Sequence, residues 1–482
     1  MDAFASAIEM LHALRTRQLS CTELLDLHLR RIERYNPRLH ALVIANYDEA
    51  RQTAAAAAAA RAGGEERPLL GLPLTIKDCI YVAGLPTTGG LPERRQAIAD
   101  TDARLAARVR AAGAVLLGKT NVPPYAADWQ AANPLFGRSN NPWDVRRTPG
   151  GSTGGGAAAV AAGLTPLEFG GDFAGSIRVP AAFCGVYGHK PSETALPRSG
   201  HFPGPNTPNA AVAMAVQGPL ARSAEDLEVA FDVIAGPDVG EDVAWRLHLP
   251  PARHARLRHY RVAVLPRPTW LPVDEEIMAA LEDLAVQLGR AGVHVHTIQP
   301  EAFGDLRHHY TLYLSILLAI SGSGQPAEER QQQAARFRAT GDEFQMAYAR
   351  GLTASAADYL EWHGQREHYR AAYRAFFRDW DVLLAPVNIV NAFPHTDAPM
   401  EVRRLAVNGQ TVPYDLQSVY PSLANLSGQP ATAFPIALTS TGLPIGLQAI
   451  GPYLEDRTPL RFTALVAQEF GGFRRPPGYD AD

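Results

Sequence analysis

The chain has 482 residues, 46% hydrophobic and 20% charged, a balance that supports a sizeable buried core. Its net charge of −4 supplies no basic surface for a phosphate backbone, which argues against nucleic acid as a partner. Cys21, Cys79 and Cys184 are scattered and form no Cys-x-x-Cys pair, so neither a disulfide framework nor a zinc knuckle is expected; a reducing, cytoplasmic setting is the default.

In chain order, Ile8, Leu11 and Leu14 have helical spacing, and acidic residues stand where a signal peptide would carry its apolar core. Ser20 and Glu23 form a capping-box pattern, followed by Leu24, Leu25, His28, Ile32 and Tyr35 on one helical face. A second helix is predicted from Asp48 through the alanines 54–60 to Gly63. PLLGLPLTIKD reads as a strand ending at Lys77. TDARLAARVRAAG reads as a helix capped by Thr101 or Asp102, and AVLLGKTN as a strand and turn. Residues 130–153, rich in Asn, Pro, Gly and Arg, read as a long irregular loop. GGGAAAVAAG is then a helix of small residues, and PLEFGG a short strand leading into Asp172.

YRVAVLP, DEEIMAALEDLAVQLGRAG and VHVHTI form a β-α-β pattern, and residues 301–380 are predicted mostly helical. The uncharged stretch 311–324 is too short to span a bilayer and reads as a buried helix. DVLLAP, ATAFPIAL and GLPIGLQAIG close the chain as strands. Strands alternating with helices predict an α/β fold around a parallel or mixed sheet. No repeat or flexible linker divides the chain, so one domain over 1–482 is expected, with 301–380 as an elaboration on it.

Three motifs point to chemistries that their context does not support. Gly113 to Thr120 matches a phosphate-loop pattern, but the residues between its glycines are themselves a strand. Gly150 to Gly154 matches G-x-S-x-G around Ser152, yet a polar, proline-bearing loop precedes it instead of a buried strand; His395 is a candidate partner only by default. His294 and His296 alternate on a strand without a carboxylate or cysteine at ligand spacing, and His201, His308 and His309 carry no stronger metal signal.

Residues 149–180 are more specific. Ser152 and Ser176 each sit in a glycine cluster, where the backbone is free to adopt unusual angles and its N–H groups can crowd a reacting oxygen. With Lys77 at the end of an apolar strand, they suggest nucleophilic acyl transfer without histidine. Desolvation favours the neutral amine a lysine base requires, and the run Leu72 to Ile76 with Cys79 and Ile80 is suited to burying Lys77.

GGSTGGGAAAVAAG followed by GGDFAGSIRVPAAFCGVYGHKPS resembles the signature of the amidase signature family of serine hydrolases. LPLTIKD, AAGAVLLGKTN, GRSNNPWDVRRTPGG, GPLARSAEDLEVAFDVIAGPD and GQPATAFPIALTSTGLPIGLQAIG extend the likeness in order over about residues 20–470. The resemblance implies a central mixed β-sheet flanked by helices on both faces, a catalytic core over about 65–235, and a substrate-covering helical region over about 301–380.

By motif, the resemblance makes Ser176 the nucleophile, Ser152 a bridging serine following a cis peptide, and Lys77 the general base. The backbone N–H groups of Phe173, Ala174, Gly175 and Ser176 become the oxyanion hole, with Gly151, Thr153, Asp172 and Arg178 in support. Where the family usually has Gly-Thr-Asp-Thr-Gly-Gly-Ser, this chain has Gly170-Gly171-Asp172-Phe173-Ala174-Gly175-Ser176, so Ala174 brings a Cβ where glycine is usual.

The implied activity is cofactor-independent hydrolysis of small apolar or aryl amides, with carbamates (urethanes) and esters as related substrates, by a monomer or homodimer without a membrane span or metal. The group it resembles includes aryl acylamidases and urethane hydrolases. Tyr125 and Trp129 are candidate pocket walls, with core packing as the alternative. PPYAADWQ differs from the acidic, methionine-containing segment usual in the glutaminase component of the tRNA-dependent amidotransferase, which favours a stand-alone enzyme. A glutaminase of that kind feeding ammonia to a partner, and an esterase using Ser152, are the competing expectations.

Overall fold

The computed structural model describes residues 1–480 apart from 198, 210, 300 and 301, and also leaves out the side chain of Glu401. Glu301, at the start of the expected helical elaboration, and residues 481–482 of the expected domain therefore lie outside the described residues.

Eleven strands form one sheet, flanked by fourteen α-helices among the described residues. Across the sheet the strands run Leu42–Ala45, Val115–Thr120, Pro73–Lys77, Leu167–Asp172, Val216–Ala221, Tyr187–Lys190, Ala431–Leu438, Pro444–Ile450, Val382–Pro386, Arg261–Val264 and His294–Thr297. The sheet is mixed: Pro73–Lys77 is parallel to both neighbours, whereas Leu167–Asp172 runs antiparallel to Val216–Ala221. Its central strands are buried along their length, as the apolar runs LPLTI and AVLL require when helices cover a sheet.

The helix Gly154–Ala161 contains only Gly, Ala and Val and is buried throughout, so small side chains let it lie close beside Leu167–Asp172 and the helix Arg178–Cys184. One hydrophobic cluster connects residues from Ala3 to Tyr479. The region after residue 301 folds into Leu306–Ser321, Ala327–Arg338, Glu343–Leu352 and Ala356–Asp379, as its periodicity predicts. Among the described residues no helix is long and apolar enough to cross a membrane.

The capping box forms as read: Ser20 Oγ accepts from the Glu23 N–H and the Glu23 carboxylate accepts from the Ser20 N–H. The predicted cap at Thr101 or Asp102 does not form. The helix Arg104–Ala111 starts from Ala103, because Asp102 instead accepts from the Ala83 N–H at 2.8 Å and pairs with Arg110 at 3.3 Å. Lys119, from the phosphate-loop match, is a buried cation held by Asp78, Thr87 Oγ1 and the Pro86 carbonyl. His294 and His296 stack on Trp380.

Candidate active site

Three adjacent pieces of chain converge where Pro73–Lys77 and Leu167–Asp172 run side by side. The first strand delivers Lys77 at its last position. The second ends at Asp172 and turns through residues 173–177 into the helix Arg178–Cys184, carrying Ser176 in the turn. The loop before Gly154–Ala161 supplies Ser152, whose peptide bond with Gly151 is cis.

Lys77 Nζ lies 2.7 Å from Ser152 Oγ and 3.4 Å from the Gly171 carbonyl. Lys77 and Ser152 are each 1% exposed, and Ser176 is 7% exposed. Burial pushes the Lys77 ammonium below its ordinary range, against the opposing pull of Cys79, Asp172 and Glu168. The Thr153 N–H donates to the Ser176 carbonyl at 3.1 Å, which ties the two serine clusters through their backbones. The hydrogen-bond partner of Ser152 is thus Lys77, whereas His395 faces Asn140 at 3.1 Å.

The turn is built around Asp172. Its carboxylate accepts from the N–H groups of Gly175 and Ile177 at 3.0 and 3.2 Å, and from Asn425 at 3.1 Å. Arg178 donates to it from Nε and Nη2, each at 3.0 Å. Burial alone would raise this carboxyl, but the Arg178 charge and hydrogen bonds, with Lys190 and Asn425, hold it well below the carboxylate range. Arg178 also donates to Gln448, to Asn425 and to the Pro421 carbonyl, fastening the turn to the helix Val419–Ser427 and the strand Pro444–Ile450.

Gly175 is the residue of this turn with a left-handed backbone, φ 87°, and a Cβ there would stand 2.7 Å from Pro421 Cγ. Ala174 is outside the left-handed region, so its Cβ is accommodated without strain. Gly151 is required for a different reason: a Cβ would run into the backbone of Asp128 to Gln130.

Of the expected oxyanion donors, the Gly175 N–H is already committed to Asp172. Those of Phe173, Ala174 and Ser176 have no protein acceptor among the described residues. Trp129 is buried and donates from Nε1 to the Ala174 carbonyl at 2.8 Å, which makes it a brace on the turn. Tyr125 is 52% exposed and stacks on Phe202.

Several neighbours carried no motif. Glu168 is fully buried one strand from Lys77, takes a hydrogen bond from Thr120 at 2.6 Å, and leaves Oε2 unpartnered among the described residues. Burial pushes its carboxyl up to about 7, despite hydrogen bonds and the Lys77 charge. His201 Nε2 lies 3.0 Å from Cys79 Sγ; burial, then the Lys77 charge, lowers His201 to about 3, and burial lifts Cys79 to about 11. The sequence clue to Glu168 was a lone acid inside an apolar strand. Nothing comparable marked His201 or Asn425. No cluster of three or more metal-binding side chains occurs among the described residues.

Comparison with known proteins matches a family model described as Amidase over residues 23–460. An indoleacetamide hydrolase of Bradyrhizobium diazoefficiens is 32% identical, covering 94% of this chain and 84% of its own. A glutamyl-tRNA(Gln) amidotransferase component from Synechococcus is also 32% identical, covering 92% of each. The solved structure of a bacterial aryl acylamidase superposes with a TM-score of 0.80 at 25% identity, over 97% of this chain and 96% of that one.

Proposed function

This chain belongs to the amidase family and is an amide hydrolase, and from that premise we propose that it cleaves apolar or aryl amides, with carbamates and esters as related substrates, through a Ser176–Ser152–Lys77 relay. The observation that carries this reading is the 2.7 Å contact between Lys77 Nζ and Ser152 Oγ, buried beside the turn that holds Ser176. A lysine stripped of water gives up its proton more readily, which is what a base at neutral pH requires.

In the proposed sequence, neutral Lys77 takes the Ser152 hydroxyl proton while Ser152 takes that of Ser176. Ser176 Oγ forms its bond to the substrate carbonyl carbon, and the carbonyl electron pair moves to oxygen. Free backbone N–H groups of the 173–176 turn stabilise that oxyanion. The intermediate collapses, the C–N bond breaks, and Ser152 passes a proton to the departing nitrogen and recovers one from Lys77. Water then attacks the acyl-enzyme by the same relay, releasing the acid and restoring Ser176. Asp172 and Arg178 hold the turn in shape throughout. The chain operates as one domain, with its helical region after residue 301 covering the site.

The aryl preference is supported by two relatives, one named for indoleacetamide and one for aryl acylamides. The resemblance to an amidotransferase component favours a second reading, a glutaminase that passes ammonia to a partner. Release of amine or ammonia from anilides, aliphatic amides, carbamates and glutamine by the isolated chain separates them. The proposal expects anilide or arylacetamide turnover to exceed that of glutamine by at least about tenfold; glutamine as the sole substrate supports the glutaminase.

A further inference from the structure

Two buried side chains reach the carbonyl groups of the nucleophile turn from outside it. Tyr313, on the helix Leu306–Ser321, donates its hydroxyl to the Phe173 carbonyl at 3.0 Å. Trp129 donates to the Ala174 carbonyl at 2.8 Å. Both peptides are trans, and in a trans peptide the C=O and the following N–H point in opposite directions. Anchoring the Phe173 carbonyl therefore fixes the direction of the Ala174 N–H. Anchoring the Ala174 carbonyl fixes the Gly175 N–H, which meets Asp172 at 3.0 Å. One plane is thus spent on holding the turn, and the other leaves its N–H without a protein acceptor among the described residues.

We propose that Tyr313 is a positioning residue that aims the Ala174 N–H as an oxyanion donor, with Trp129 locking the neighbouring plane. This rests on the reading of Ser176 as the nucleophile. Tyr313 is fully buried and its ring stacks on Tyr310, so removing the hydroxyl leaves the packing surface in place. Tyr310 is the internal control: its hydroxyl goes to the Asp415 carbonyl and Ser418, away from the turn. An oxyanion donor acts on charge that develops in the transition state, so misaiming it slows bond formation more than it weakens substrate binding.

The test is the rate at which a fluorophosphonate modifies Ser176 in the wild type, Tyr313→Phe and Tyr310→Phe, with thermal unfolding of each. The expected result is Tyr313→Phe slower by about tenfold or more, Tyr310→Phe within about twofold of wild type, and an amide substrate showing the Tyr313→Phe loss in kcat with KM held. Should Tyr313→Phe not fold, Trp129→Phe is read instead and is expected to slow by a similar factor. Modification of Tyr313→Phe, or of Trp129→Phe where it stands in, at the wild-type rate, or equal slowing of Tyr313→Phe and Tyr310→Phe, overturns the proposal. A folded wild type that is never modified at Ser176 overturns the underlying assignment of the nucleophile.

Discussion

Lys77 Nζ and Ser152 Oγ face each other across 2.7 Å with almost no solvent at either residue. When the lysine is charged, its N–H donates and the serine oxygen accepts. The bond must reverse before Ser152 can pass a proton inward, and that requires a neutral amine. Burial drives the pair towards that state, while Cys79, Asp172 and Glu168 oppose it.

The pH–rate profile follows from this arrangement. Activity should rise with pH as Lys77 loses its proton and level off above an apparent pKa that lies below the ordinary lysine value of about 10.4. Lys77→Ala should lower kcat/KM by about 10² to 10⁴-fold, the usual contribution of a general base. A profile measured on an anilide across neutral and alkaline pH checks both; a rising limb centred at or above the ordinary lysine value contradicts the reading.

Glu168 gives a stability signature. Its carboxyl is raised from 4.5 to about 7, so the folded chain keeps a proton that the unfolded chain releases. Its contribution is unpenalised below about pH 4.5, and stability is lost as pH rises towards 7. The full displacement corresponds to about 3 kcal/mol. Glu168→Gln should therefore gain on the wild type in urea unfolding as pH rises through that window. A difference that does not change with pH would refute this.

Arg178 and Asp172 form a buried ion pair, and the other side-chain partners of Arg178, Gln448 and Asn425, lie on distant elements. Arg178→Met leaves the carboxylate unpaired and should cost about 3–5 kcal/mol by denaturant unfolding. Adding Asp172→Asn should recover part of that loss, because it removes the stranded charge. Equal instability of the single and double variants would mean that the pair contributes through packing alone.

The parts of the candidate site written as local pattern are legible in the sequence. Lys77, Ser152 and Ser176 each sit in a distinctive short motif, and the structure gathers all three into one buried neighbourhood. Helices with strong periodicity or a capping box emerged as read, Cys21–Leu39 among them. The strands Tyr187–Lys190 and Val216–Ala221 did not, because YGHK and VQGPLA mix polar residues, glycine and proline into buried positions. Long-range partners such as Tyr313, Asn425 and Gln448 are 137 to 272 residues from Ser176 in the chain, and nothing in their local sequence announces the turn they hold. Asp102 failed as a cap for the same reason: a tertiary partner, the Ala83 N–H, took its carboxylate.

Gly175 tests the turn itself. Its backbone lies at φ 87°, and a Cβ would stand 2.7 Å from Pro421 Cγ and 2.9 Å from Val179 Cγ2. Gly175→Ala should destabilise the chain by about 1–3 kcal/mol. It should also lower kcat by more than about tenfold as the turn shifts Ser176. Retained activity in a folded variant would show that the turn tolerates a different path.

In the proposed reaction Ser176, and not Ser152, forms the covalent acyl bond. Intact-mass and peptide mass spectrometry after fluorophosphonate treatment locates that bond. A single adduct on Ser176, absent from Ser176→Ala, is expected. An adduct on Ser152 that persists in Ser176→Ala would contradict it and assign the nucleophile to the other glycine cluster.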